Sequence, residues 1–124
     1  MEVVRKCWVW AAAATFAALL WQFSVVQVRF GGDWTGLFYS GSTFDLPDEL
    51  KLSTFRHQGS RGYDAQFYRL AAHDPFNLKG YSRFMDDPSY RRKRALVPLL
   101  AWAAALGQQR WIDFTYFVWH VACE

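Results

Sequence analysis

From Cys7 to Val28 the chain runs without a single charge, and only Thr15, Gln22, Ser24 and Gln27 interrupt its apolar side chains. At 1.5 Å of rise per residue such a helix reaches roughly 33 Å, enough to cross the hydrocarbon core of a bilayer. A cleaved signal peptide is the competing reading, since Arg5 and Lys6 precede an alanine-rich stretch. Against it, Trp21, Gln22, Phe23 and Val25 to Val28 put bulky residues where a cleavage site needs small ones. The pattern therefore predicts an uncleaved transmembrane helix. A second apolar stretch, Ala95 to Gly107, is short for a span unless Tyr90 to Arg94 extend it by snorkelling. Pro98 falls in its first turn, where a missing N–H is tolerated. Gln108, Gln109 and Arg110 read as a connector, and Trp111 to Cys123 as the beginning of a third apolar segment with Asp113 near its start.

Between the apolar segments, Arg29 to Arg94 is polar but too rich in Phe, Tyr and Trp to be a disordered linker. Gly31, Gly32, Gly36 and Gly41 punctuate its first part, and Pro47, Pro75 and Pro88 its later turns. One short helix is predicted from Ala65 to His73, ending before Asp74-Pro75 because a residue preceding proline avoids helical geometry. The predicted fold class is thus an all-α membrane protein in three parts. Residues 1–28 hold the N-terminus and first transmembrane helix, 29–94 a large aromatic-rich outer loop with short helices, and 95–124 a short second and a truncated third membrane segment.

Composition strengthens the membrane reading. Of 124 residues, 52% are hydrophobic and 19% aromatic, and the seven Trp lie at or near the ends of the apolar segments, where indole rings favour the membrane interface. Arg5 and Lys6 place the N-terminus in the cytoplasm and the loop outside, while Arg91, Arg92, Lys93 and Arg94 vote the other way. The N-terminal pair carries more weight because long loops count little in the positive-inside rule. The net charge of +3 does not point to nucleic acid, because the basic residues gather at membrane boundaries rather than on one soluble face. Cys7 and Cys123 stand at opposite ends without redox or metal spacing and read as small apolar residues. His57, His73 and His120 are not spaced as metal ligands, so no metal site is predicted.

Two clusters carry candidate chemistry. Asp64, in Gly62-Tyr63-Asp64-Ala65-Gln66-Phe67-Tyr68-Arg69, is a carboxylate on an aromatic turn and could act as a general base. It could equally be an N-cap accepting from the amides of Gln66 or Phe67, with Tyr63 and Tyr68 stapling the turn. Arg91 and Arg94, three apart on a helix starting near Tyr90, would share one face and offer planar forks to phosphate oxygens. Alternatively they form a collar that anchors a helix at anionic headgroups. Asp86 and Asp87 could pair with the cluster or hold a divalent ion, although a turn before Pro88 explains them as well.

The order of these stretches resembles the N-terminal part of a family of bacterial multi-pass membrane proteins similar to GT-C-type glycosyltransferases. The resemblance rests on Trp34-Thr35-Gly36-Leu37-Phe38, Gly62 to Arg69, Ala72-His73-Asp74-Pro75-Phe76, Asp86-Asp87-Pro88 with Tyr90 to Pro98, and Leu99 to Asp113. It implies a polyprenyl-phosphate-linked sugar as donor and transfer on the outer face of the cytoplasmic (inner) membrane for cell-surface glycan assembly. It further implies Asp64 as catalytic base, Arg91 and Arg94 near the donor phosphate, and Tyr63, Gln66 and Tyr68 as substrate contacts. Cofactors and oligomeric state are not implied. Ala65 departs from the glycine usual in the family, and the later membrane helices are missing, so the chain is expected to be a fragment without activity of its own. A small non-catalytic membrane protein, whose aromatic loop binds a partner or the lipid surface, is the alternative.

Overall fold

A computed structural model describes residues 1–123, with the side chains of Ala122 and Cys123 and all of Glu124 outside the description. The described residues are mostly helical and divide into two compact units, Met1–Trp34 and Thr35–Glu124.

The first unit is essentially one helix, α1 (Glu2–Phe30), whose apolar side chains run round its whole circumference. Trp8, Trp10, Phe16 and Trp21 are each more than 60% exposed, an arrangement suited to lipid rather than water. Its 29 residues cover about 43 Å. Among the described residues it is the one helix long and apolar enough to cross a membrane. The two hydroxyls in its middle are satisfied internally. Thr15 donates to the Ala11 carbonyl at 2.9 Å and Ser24 to that of Leu20 at 2.8 Å. The helix stops at Gly31, whose φ of 60° is the left-handed geometry of a C-terminal cap.

The second unit is organised around α3 (Ala65–His73), the helix read from the sequence with the same limits. It buries Phe67, Leu70 and Ala71 against Leu46, Leu50, Tyr81 and Met85 on one side. On another it buries Ala72 against Phe38, Ala101, Ala105, Ile112 and Tyr116. Short elements frame it: a parallel pair, β1 (Ser40–Gly41) with β2 (Arg56–His57), then α2 (Asp48–Lys51) and α4 (Pro88–Arg92). The aromatic loop therefore builds a core of its own. α5 (Leu96–Ala104) and α6 (Gln109–Cys123) form a hairpin packed on α3, with Ala101 and Ala105 permitting close approach. Thr115 crosses the hairpin to donate to the Ala101 carbonyl at 2.7 Å.

Two local expectations need correction. Gln109 and Arg110 open α6 instead of forming a connector, and the turn is made by Leu106 and Gly107 at φ of 52° and 69°. Gln109 is accommodated because its amide is fully engaged: Oε1 faces His73 Nδ1 at 2.6 Å and Nε2 donates to the His73 carbonyl at 3.0 Å. In addition, Arg91 and Arg94 do not share a helical face. α4 ends at Arg92, and the Arg94 amide folds back to the Arg91 carbonyl at 3.2 Å in a tight turn.

Candidate functional site

The Gly62 to Gln66 turn is held by a close backbone crossing. Gly62 has φ of 74°, and a Cβ there would lie 2.6 Å from the Gly41 nitrogen and the Tyr39 carbonyl oxygen, so only glycine fits. Gln66 locks the crossing from within. Its Oε1 accepts from the Gly41 amide at 3.1 Å and its Nε2 donates to the Arg61 carbonyl at 2.8 Å. Gln66 is buried with both ends of its amide engaged, so it fixes the turn. Tyr63 is 68% exposed, and its ring lies 4.7 Å from that of Tyr39. Tyr39 in turn stacks on His57 at 3.8 Å.

Asp64 does not cap α3 through its side chain. Its backbone is already helical, and its carbonyl accepts from the Phe67 amide at 3.0 Å. The carboxylate is 66% exposed and turns instead to Arg91, whose Nη1 lies 2.7 Å from Oδ2. That contact is close enough for an ion pair but is not aligned as a hydrogen bond. Asp64 and Arg91, singled out from separate stretches, are therefore brought together.

Arg91 is held between carboxylates. Its Nε and Nη2 donate to the two oxygens of Asp86 at 3.0 and 2.8 Å, the bidentate geometry of a strong charge-assisted pair. The guanidinium also lies 5.0 Å from the Phe67 ring centroid and is only 6% exposed. Two carboxylates hold it still more firmly protonated than usual, Asp86 first and Asp64 second. The same Arg91 pair holds Asp86 below the usual aspartate range. The stability Asp86 lends through this pairing is thus present at neutral pH, above its unfolded value near 3.8, and is lost as pH falls through its lower folded value. Asp87 has the helix-start role: its Oδ1 accepts from the Tyr90 amide at 3.0 Å as N-cap of α4, with Pro88 at the first helical position.

Arg94 has the opposite environment. It is exposed and lies over the Tyr90 ring at 4.8 Å. Among the described residues its guanidinium pairs with no carboxylate. It opens onto a cavity of about 390 Å³, where Tyr68, Pro98, Trp119 and His120 are among the other walls. Tyr68 links this cavity to the Asp64 pair, because Arg91 lies 5.7 Å from its ring centroid. The Tyr68 hydroxyl is buried without an aligned partner. Among the described residues no three His, Cys, Asp or Glu side chains converge as metal ligands.

No family model, curated protein or solved structure matches the chain.

One polar constellation was not read from the sequence. Arg69, 1% exposed, donates through Nε and Nη2 to the two oxygens of Asp113, both at 2.8 Å, and through Nη1 to Thr54 Oγ1 at 2.7 Å. His73 Nε2 meets Asp113 Oδ1 at 2.8 Å, while Nδ1 meets Gln109. Four polar side chains thus tie α3 to α6. The signal was present as two matched pairs four residues apart, Arg69 with His73 and Gln109 with Asp113, each on one face of its helix.

Proposed function

We propose that this is the N-terminal part of a membrane-anchored, GT-C-type glycosyltransferase-like protein of the bacterial cytoplasmic membrane, in which Asp64 serves as general base for sugar transfer from a polyprenyl-phosphate donor. The observation that carries the reading is the exposed Asp64 carboxylate, held by a buried Arg91, one shared aromatic wall away from a cavity edged by Arg94, which pairs with no carboxylate among the described residues. In the proposed reaction the acceptor oxygen attacks the anomeric carbon and its proton passes to Asp64. The bond from that carbon to the phosphate oxygen breaks, and the phosphate leaves with its electron pair towards a cation. Arg94 suits that last role; Arg91, committed to carboxylates, acts as the holder of Asp64. Membranes carrying a full-length relative with the Asp64–Arg91 pair should consume radiolabelled polyprenyl-phosphate sugar and release polyprenyl phosphate, whereas this chain alone should not. Donor that survives unchanged with a range of sugar acceptors would overturn the reading.

α1 crosses the membrane in this proposal, with Arg5 and Lys6 in the cytoplasm and the Thr35–Glu124 unit outside. α5, at nine residues or about 14 Å, enters the membrane edge without crossing it. Leu96, Leu99, Trp111, Phe114 and Val118, all exposed, are the hairpin surface given to lipid. Leu52 is fully exposed and tests the orientation. A Leu52→Cys variant, with Cys7 and Cys123 replaced by Ala, should react with an impermeant thiol reagent on intact cells. Labelling only after lysis reverses the topology.

A non-catalytic membrane protein remains the second reading. One observation favours it: the Asp64 carboxylate, like that of Asp86, already has an arginine partner within the fold.

A further inference from the structure

We propose that Asp86 is a positioning residue: by gripping Arg91 it confines Asp64 to a single contact and leaves one Asp64 oxygen free to take a proton. The inference rests on the function proposed above, because it takes Asp64 as the base, and it adds a second carboxylate that acts through the arginine between them.

A guanidinium can hold both oxygens of a carboxylate along its side, through Nε and one terminal nitrogen, or across its end, through the two terminal nitrogens. Asp86 occupies the side of Arg91, accepting from Nε at 3.0 Å and from Nη2 at 2.8 Å. That carboxylate is itself fixed, because its Oδ1 also accepts from the Asp87 amide at 2.7 Å. Rings hold the same plane: the Arg91 guanidinium lies 5.0 Å from the Phe67 centroid and 5.4 Å from that of Tyr90. The end of the fork is therefore presented to Asp64 out of line. Nη1 approaches Asp64 Oδ2 at 2.7 Å without the alignment of a hydrogen bond, and among the described residues Asp64 Oδ1 accepts from no donor.

Charge acts in the same direction as geometry. Asp86 has the larger hold on the arginine and Asp64 the smaller, so most of the cation is neutralised before Asp64 meets it. An undivided cation would favour the ionised form of Asp64 and weaken it as a base. The titratable and charged groups facing Arg91 are Asp64 and Tyr68 from the α3 segment, Asp86 from the loop before α4, and Tyr90 from α4 itself. Arg94, next along the chain, lies over the Tyr90 ring. Of these groups, Asp86 alone competes with Asp64 as an anion. Removing its charge should let Arg91 turn its end onto both Asp64 oxygens.

Coupling of glycinamide to the full chain with a water-soluble carbodiimide, in non-ionic detergent at mildly acidic pH, tests this without any activity. Peptide mass spectrometry follows Asp64, with Asp48, whose side chain is 95% exposed, as internal reference. Asp86→Asn keeps an oxygen for the Asp87 amide and should slow coupling at Asp64 by roughly three-fold or more relative to Asp48. The double variant Asp86→Asn, Arg91→Gln should restore it, because the captor has gone, whereas a disturbed fold would not be repaired by a second truncation. Should Asp86→Asn fail to fold by circular dichroism, Asp86→Ser carries the same expectations. Unchanged coupling at Asp64, or slowed coupling that the double variant fails to restore, refutes the inference. In a full-length relative with the same three residues, Asp86→Asn should lower kcat/KM for transfer and move its acid limb to lower pH. A role confined to starting α4 would lower the rate and leave the limb in place. The two proposals fail separately. If Asp64→Asn leaves transfer intact while Asp86→Asn still slows coupling at Asp64, the enzymatic reading falls and the charge arrangement stands. If Asp64→Asn abolishes transfer while coupling and acid limb ignore Asp86, only the positioning role falls.

Discussion

In a full-length relative, Asp64→Asn is expected to lower glycosyl transfer by roughly two orders of magnitude or more, the usual scale for losing a general base, while leaving the protein folded and membrane-bound. The substitution separates chemistry from architecture because the Asp64 side chain caps nothing. The start of α3 is held by the backbone carbonyl of Asp64, by the Gly41–Gly62 crossing and by Gln66, none of which the change touches. Asn retains an oxygen that Arg91 Nη1 can approach, and Asp86 still neutralises Arg91 through two hydrogen bonds. What disappears is the ability to take a proton. The measurement is release of polyprenyl phosphate by membranes carrying each full-length variant, at matched protein levels and with circular dichroism as the check on folding. Transfer within a few-fold of the native rate would remove Asp64 from the chemistry and leave it as the surface partner of a buried arginine.

The helical class, α1 and the limits of α3 were legible because each has a local cause: an uncharged apolar run, a left-handed glycine after Phe30, and Asp74-Pro75 after His73. The candidate pair was legible only as two motifs. That Asp64 and Arg91 meet depends on α4 lying against α3, a tertiary fact with no periodic signal. Arg91 and Arg94 looked equivalent in sequence, and they differ because Asp86 captures one of them and the chain turns before the other. Gln66 reads as a polar residue beside a candidate base, and nothing local shows that it spans two backbone segments. The role of Asp113 was hidden for a related reason. As an isolated acid at the head of an apolar segment it signals only a polar start, and its significance depends on Arg69 and His73 arriving from α3.

Asp113→Ala should therefore destabilise the Thr35–Glu124 unit by about 3 kcal/mol, the low end for breaking a buried ion pair. The low end applies because the Asp113 side chain is 29% exposed and some water can replace it. The cost arises on the other side of the contact. Arg69 is 1% exposed and would keep only Thr54 as a polar partner beside the Phe38 ring, 5.3 Å away. For a unit of this size such a loss lowers Tm by roughly 12 °C or more, readable by tryptophan fluorescence in detergent. The double variant Arg69→Met, Asp113→Ala removes the stranded charge and should recover a substantial part of that loss, since a buried pair is worth far less against an apolar replacement than against a broken half. A single-variant shift below about 3 °C would mean that water screens the pair and that α3 and α6 are joined by apolar packing alone. A large shift restored by the double variant would have a consequence for the site. α3 carries Asp64 and Tyr68, and α6 carries Trp119 and His120, so the Arg69–Asp113 contact sets the spacing between the proposed base and the far wall of the cavity.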